Sequence, residues 1–592
     1  MKINIMKINI MKNSSLVLKK GDKFAQREKI NIAIIVIAWV IMAILVNPLG
    51  EFPLNDDWVY AKATQSIFEK GGFTLSGGNS ATNFMAQGFW GALFCLPFGF
   101  SFSILRISTL VLGLVGVLTI YGILRQLRAN QSISLIGAFL IALNPIYFAL
   151  SNTYMTDVPF FAIASMSFFF LIRGLKYDRQ RDIIFGLLLS CTSILIRQFG
   201  IMIHLAFAIA YLYKKGLKKS NIIFAITQIL VAVGLNLIYQ KFLYFTNRSS
   251  VSLNFQIGVL RQLLFHGKLK SLIYNLNIDT IDALIYLGLF LSPLLIPIFL
   301  KKIKSFTLSE KKLLKYSAFT FLILTLVRFI KSPAIMPLQG NIIANYGLGP
   351  LTLHDTAILN INNPSISTSM HFIWIILTFI GITGGLILSY YLATTIKSIF
   401  QKTRSHESTS PKWLKIFIIL SIVFYFSPLA MIGFFDRYLL FLIPLSLILI
   451  VINEPDITQS SFLNNQIIPI LLTTFLTFGI FSISTTHDYL GWNRIRWQAL
   501  NDLTKVQNIS PHLIDGGYEF NGLYLFDSKD TYSNNYQPNP KKPKQSWWFV
   551  DKDDYMITFA PIANYQTIKK YSYNNWWPFS PKSIYVLHKE NT

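Results

Sequence analysis

The sequence predicts a polytopic α-helical membrane protein with a small mixed α/β domain at its C-terminal end. Three observations lead there. Of the 592 residues, 53% are hydrophobic and only 14% are charged, whereas a soluble domain carries roughly 25% charged residues. Apolar runs of about 20 residues, the length that crosses a hydrocarbon core, recur along the chain. The Lys and Arg residues, which give a formal net charge of +26, gather in short segments between those runs, such as "RQLR", "KYDRQR" and "KKGLKK". Loops on the positive-inside face have this pattern, so the charge reports topology and no nucleic-acid partner is expected.

Residues 1–29, opening on "MKINIMKINIMK", read as a cytoplasmic leader, with no short apolar core and small-residue cleavage site to mark a signal peptide. Residues 30–486 form the membrane part. Its first span, 30–48, leads to an outer loop over 49–103 that holds "NDDWVYA" and the semi-apolar "FMAQGFWGALFCLPFGF". The latter suits an interfacial helix as well as a span. Further spans fall at 104–124, 132–150 and 158–173, then twice within 183–213 around a bend at "RQFG". The rest lie at 221–240, 281–300, 314–330, 371–396, 413–432, 436–452 and 466–485, which makes about 13 in all. Segments 241–280 and 331–370 are the other outer loops, although 241–280 is more basic than the charge rule favours. Residues 487–592 are polar and rich in Trp, Tyr, Asn and Pro, and short alternating runs such as "GLYLF" and "SIYVLH" read as strands of an extracytoplasmic domain. Cys95 and Cys191 lie in apolar surroundings, which argues against a disulfide framework.

The acids and bases worth attention sit at the outer ends of spans. They are Asp56 and Asp57 in "NDDWVYA", Asp157 in "TYMTDVPFF", Arg197 in "LIRQFG" and Arg437 in "DRYLLFLIP". Ionisable groups near membrane depth are costly, so their convergence on one face reads as one site. Taken singly, several have an ordinary structural role available. Asp157 could cap a helix with Pro159 in its first turn. Arg197 could be a snorkelling anchor, and Arg437 could pair with its neighbour Asp436. Two adjacent aspartates beside a Trp and a Tyr are harder to explain as loop filler.

Carboxylates and guanidiniums at an outer face suit transfer of a group from a lipid phosphate. One carboxylate serves as general base on an acceptor hydroxyl, and an arginine fork holds the departing phosphate. The chain has no GxxxxGK[ST] and no GxGxxG after a strand. An outward site also lacks a nucleotide supply, so a lipid-borne donor fits. The eight histidines form no HExxH or paired-ligand spacing, and neither a metal nor another cofactor is expected.

The acidic pair in the first outer loop, the second acidic motif before the fourth span, the span count and the outer C-terminal domain resemble the GT-C glycosyltransferases. Within them, "NDDWVYA", "TYMTDVPFF", "LIRQFG", "QGNIIANYGLGP", "DRYLLFLIP" and "HLIDGGYEFNG" look most like the dolichyl-phosphate-mannose protein mannosyltransferases and bacterial aminoarabinose transferases (glycosyltransferase family 39-like). The resemblance implies an inverting transfer of a sugar from a polyprenyl-phosphate-linked donor to an acceptor hydroxyl. That acceptor would be a glycan, lipid or protein at the outer face of the plasma (inner) membrane. Asp56 would be the base, Asp57 would stand where the family usually has Glu, and Asp157 would sit near the sugar and acceptor. Arg197 and Arg437 would hold the lipid phosphate. Many bacterial members carry a Lys-Pro-Pro-Leu stretch whose lysine lies near the donor phosphate. Here that region reads "NFMAQGFWGAL", with Gln87 and no lysine, which leaves Arg197 or Lys62 for the task, or else a different donor. Tyr60, Lys62 and Gln87 complete the candidate substrate-binding set. A polytopic transporter or flippase of lipid-linked sugars is the alternative. Such proteins place charge at mid-membrane on broken helices within repeated halves; here no second half mirrors the first.

Overall fold

A helix that is apolar all round satisfies its backbone internally and leaves lipid as its compatible surrounding. In the computed structural model of the chain, this is how most of the length is used. The structure describes residues 26–75, 82–248, 269–344, 347–359, 368–401, 410–454, 467–526, 549–550, 552–577 and 579–590. Most of the leader 1–29 therefore lies outside the described residues. Among the described residues, nine helices are long and apolar enough to cross a membrane, and a bent pair makes a tenth. That pair, Gln131–Ala142 and Pro145–Ser151, turns through 63°. The break follows from Asn144, whose side chain caps Tyr147 N, with Pro145 at the first helical position.

All of the expected spans fall on helices. The remaining ones are Gln180–Ile194 and Ile201–Lys215, which flank the "RQFG" bend, and the first half of the 35-residue helix Ile467–Asn501. The chain is thus a multi-pass helical membrane protein. Apolar side chains that its helices leave exposed, such as Ile37, Ile44, Leu230, Ile238, Leu326 and Leu476, are the surface such a protein presents to lipid. The segment Met85–Phe98 is an apolar helix of 14 residues, shorter than the helices long enough to cross a membrane.

Helices Leu269–Lys302 and Thr368–Phe400 meet through glycine. A Cβ on Gly288 would lie 2.2 Å from the Gly385 nitrogen, and one on Gly384 would lie 2.3 Å from the Gly288 oxygen. Backbone atoms occupy the space, so no side-chain rotation could relieve a larger residue.

The C-terminal part is suspended from the helix Ile467–Asn501, which continues past residue 487 without a break. A four-stranded sheet, in spatial order Ile514–Asp515, Tyr555–Thr558, Phe579–Lys589 and Tyr565–Trp576, pairs parallel at its first edge and antiparallel elsewhere. The backbone nitrogens of Trp576 and Trp577 donate to Asp488 at 2.8 and 2.7 Å, and Lys569 reaches Asp502 at 2.9 Å, so the edge strand lies along that helix. "SIYVLH" is a strand as expected. "GLYLF" is not: it belongs mostly to the helix Tyr518–Leu525. Asp515 sets that helix up by accepting from Gly517 N and from Asn521 Nδ2, and Gly517 turns the chain at φ +85°.

Gly288→Leu and Gly384→Leu should each lower the melting temperature in detergent, with overpacking costing about 1–3 kcal/mol. Unchanged melting in both variants would show that this helix contact tolerates side chains.

Candidate active site

Four stretches distant in sequence are tied together by short polar contacts at one end of the helices. In the first, Asp57 is fully buried, and its carboxylate accepts from Leu54 N at 3.3 Å and from Tyr154 N at 2.9 Å. It therefore joins "NDDW" to "TYMTD". Gln87 reinforces the same joint, donating to Tyr154 O at 3.1 Å. Asn83 donates to Ile194 O at 2.7 Å, and Phe84 N donates to Ile196 O at 2.9 Å, which fixes the turn before Arg197. Gly200 lets that turn close, because a Cβ there would lie 2.4 Å from Ser193 Oγ. Buried Arg106 donates to the carbonyls of Pro48, Gly50 and Phe52 and holds the approach to the Asp pair.

This framework presents two carboxylate–arginine pairs. Asp157 Oδ1 accepts from Arg197 Nη1 at 2.8 Å, with side chains 1% and 6% exposed. Asp56 Oδ2 faces both terminal nitrogens of Arg437 at 3.4 Å, and its side chain keeps 21% exposure. Tyr438 links the pairs, its ring centroid 5.1 Å from the Arg197 guanidinium carbon and 5.4 Å from that of Arg437. Asp157 Oδ2, Arg197 Nε and Arg437 Nε are buried without a hydrogen-bond partner. Such atoms also occur elsewhere, on Gln87, Arg106 and Arg496 for example, so they show here that these two pairs keep bonding capacity.

Several ordinary roles that the sequence allows are not the ones observed. Asp157 is the first residue of its helix and its carboxylate goes to Arg197; the cap position belongs to Thr156, which makes no side-chain cap bond. Arg197 is buried and does not snorkel. Asp436 does not pair with Arg437, because its carboxylate accepts from the backbone nitrogens of Ile342 and Ile343, the latter at 2.7 Å. These bonds pin "QGNII" against "DRYLL".

Among the other expected site residues, Tyr60 stacks on Phe84 with centroids 4.8 Å apart. Lys62 donates to Gly522 O at 3.2 Å and lies over Trp58, and burial lowers its ammonium to about 8. Sequence reasoning missed Tyr518, whose hydroxyl donates to Asp56 Oδ1 at 2.9 Å. Among the described residues, no group of three or more His, Cys, Asp or Glu side chains is placed to hold a metal ion.

A polytopic helical membrane protein with a cluster of carboxylates and guanidiniums at one end of its helices is the class that fold and site define. Within it, residues 86–239 match the family model described as dolichyl-phosphate-mannose-protein mannosyltransferase. The chain is similar to that family over a stretch holding Gln87, Asp157 and Arg197. No curated protein matches the sequence. Among solved structures, the chain is similar to the oligosaccharyltransferase of Archaeoglobus fulgidus in its apo form, at 12% identity and TM-score 0.40, over 88% of this chain and 64% of that one. It thus spans less than two thirds of that enzyme's length. It is also similar to ArnT from Cupriavidus metallidurans bound to undecaprenyl phosphate, at 11% identity and TM-score 0.36, over 94% of this chain and 97% of that one.

Burial raises the Asp57 carboxyl from 3.8 to about 7, opposed by Arg106 and its two backbone donors and aided by Asp56. The folded value exceeds the unfolded one, so this group's stabilisation is complete below pH 3.8 and is lost as pH rises through about 7. Asp57→Asn should flatten the corresponding fall in melting temperature between those limits. A fall of unchanged size would assign it to another group.

Proposed function

We propose that the chain is a glycosyltransferase that moves a sugar from a polyprenyl-phosphate-linked donor to an acceptor hydroxyl, with inversion at the anomeric carbon. Asp56 takes the acceptor proton as the new oxygen–carbon bond forms. The bond from the anomeric carbon to phosphate oxygen breaks, and polyprenyl phosphate leaves with the electron pair. Arg197 and Arg437 meet the charge that develops on the leaving phosphate, the kind of fixed electrostatic stabilisation that dominates such steps. Asp157 orients Arg197 and borders the sugar. Asp57 and Gln87 act by tying the loops, and Lys62 faces the C-terminal domain. Base and counter-charge both come from side chains, so neither a metal nor another cofactor enters the reaction.

The observation that carries this reading is the partly exposed Asp56 carboxylate opposite Arg437, next to a buried Asp157–Arg197 pair with unsatisfied atoms. The match of residues 86–239 to a family named for a dolichyl-phosphate-linked sugar supports the donor class, and ArnT's crystallisation with undecaprenyl phosphate suggests the lipid to try first. The site would lie on the outer face of the plasma (inner) membrane, with the N-terminus cytoplasmic and the C-terminal domain outside. The acceptor would be a glycan, lipid or protein. Transport finds less support, since the broken helix pair 131–151 holds no Asp, Glu, Lys, Arg or His.

Mass spectrometry of envelope glycans and lipids, with and without the chain, should reveal one product missing in its absence. Asp56→Asn should fail to restore that product while remaining folded in the membrane. Full restoration would remove Asp56 as the base. Arg437→Ala should weaken binding of undecaprenyl phosphate to the purified protein by about tenfold or more, the scale of a lost charge-assisted bond. Unchanged affinity would remove the arginine from the phosphate site.

A further inference from the structure

The catalytic reading leaves two consecutive residues of the C-terminal domain unexplained. Asn55, immediately before the proposed base, has a left-handed backbone at φ +54°, a conformation that asparagine tolerates better than most residues. The turn it makes is held from residue 519. Asn55 N donates to Glu519 Oε1 at 3.0 Å. The other carboxylate oxygen of Glu519 accepts from Thr352 Oγ1 at 2.6 Å and from Arg496 Nη1 at 2.7 Å, in a pair with no exposure on either side chain. One residue earlier, the Tyr518 hydroxyl donates to Asp56 Oδ1. Successive residues of one domain thus grip successive residues of the other, one by the backbone and one by the carboxylate.

The fit is built on both sides. Trp58 packs edge-on to the Tyr518 ring with centroids 6.1 Å apart. Gly522 admits Trp58, since a Cβ there would lie 2.4 Å from its Cε2 atom. Arg437 occupies the other oxygen of Asp56. A carboxylate held at one oxygen by a guanidinium and at the other by a phenol keeps further lone pairs free for an incoming hydroxyl, and it loses the torsional freedom that would misdirect them.

We propose that Tyr518 and Glu519 are positioning residues for Asp56, so that the C-terminal domain is part of the catalytic apparatus. Glu519 holds the turn that carries the base, and Tyr518 fixes the direction of its carboxylate. This rests on the reading of Asp56 as general base. Neither residue touches the lipid phosphate in this account, so loss of either should slow turnover without loosening the lipid.

The test uses the purified full chain with two probes: undecaprenyl phosphate for binding, and the lipid-linked sugar fraction from the producing cells for turnover. Tyr518→Phe keeps the ring against Trp58 and removes only the hydroxyl. It should bind undecaprenyl phosphate within twofold of the unaltered protein and turn over about tenfold more slowly at saturating donor. Glu519→Gln, which retains an acceptor for Asn55 N, should lose less rate than Glu519→Ala, and it carries the same expectation should Tyr518→Phe fail to fold. Unaltered turnover in Tyr518→Phe beside an inactive Asp56→Asn would overturn the positioning role and leave the base intact. Activity in both variants would overturn the base and this proposal together. A parallel loss of turnover and lipid affinity would make the contact merely structural.

Discussion

The ion pair between Arg496 and Glu519 is the contact on which the site depends. Neither side chain meets solvent, and each has more than one partner: Arg496 also donates to Gly516 O at 2.9 Å, and Glu519 also receives Asn55 N and Thr352 Oγ1. Burying two charges costs several kcal/mol per ion unless geometry and further hydrogen bonds offset it. Here the remaining bonds run to different parts of the chain: Gly516 ahead of the helix Tyr518–Leu525, Thr352, and the turn before Asp56. The pair's worth lies in fixing where these parts meet more than in net stability.

The same arrangement recurs at the site. Asp57, Asp436 and Gln87 are polar groups whose bonds go to backbone of another segment. Each converts a loop end into a fixed point, as an irregular backbone in or near a membrane requires. Against these ties, Asp56 and Arg437 form a looser contact at 3.4 Å, and Asp157 and Arg197 retain unsatisfied atoms. These two pairs are the ones that the proposed reaction uses.

Much of this was legible in the sequence. Ionisable residues are scarce among the spans, so Asp56, Asp157, Arg197 and Arg437 stood out, and the four do assemble. Their pairing was not legible, because Arg437 and Asp56 lie 381 positions apart and nothing local joins them. Asp436, adjacent to Arg437, was the natural partner by proximity and proved to serve the backbone instead. Lys62 lies about 140° around its helix from Asp57 at 100° per residue, which turns it to the C-terminal domain. "GLYLF" alternates like a strand, but so short a run cannot exclude a helix, and the hydrogen bonds of Asp515 decide it. Tyr518 was hidden because a tyrosine in a polar, aromatic-rich domain is unremarkable in sequence; only the fold brings it to Asp56.

An experimental structure of the chain with undecaprenyl phosphate would test the central claim most directly. The account expects the phosphate against the Arg197 and Arg437 guanidiniums, with the Asp56 carboxylate facing it across the space left for sugar and acceptor. A phosphate bound away from both arginines would contradict it.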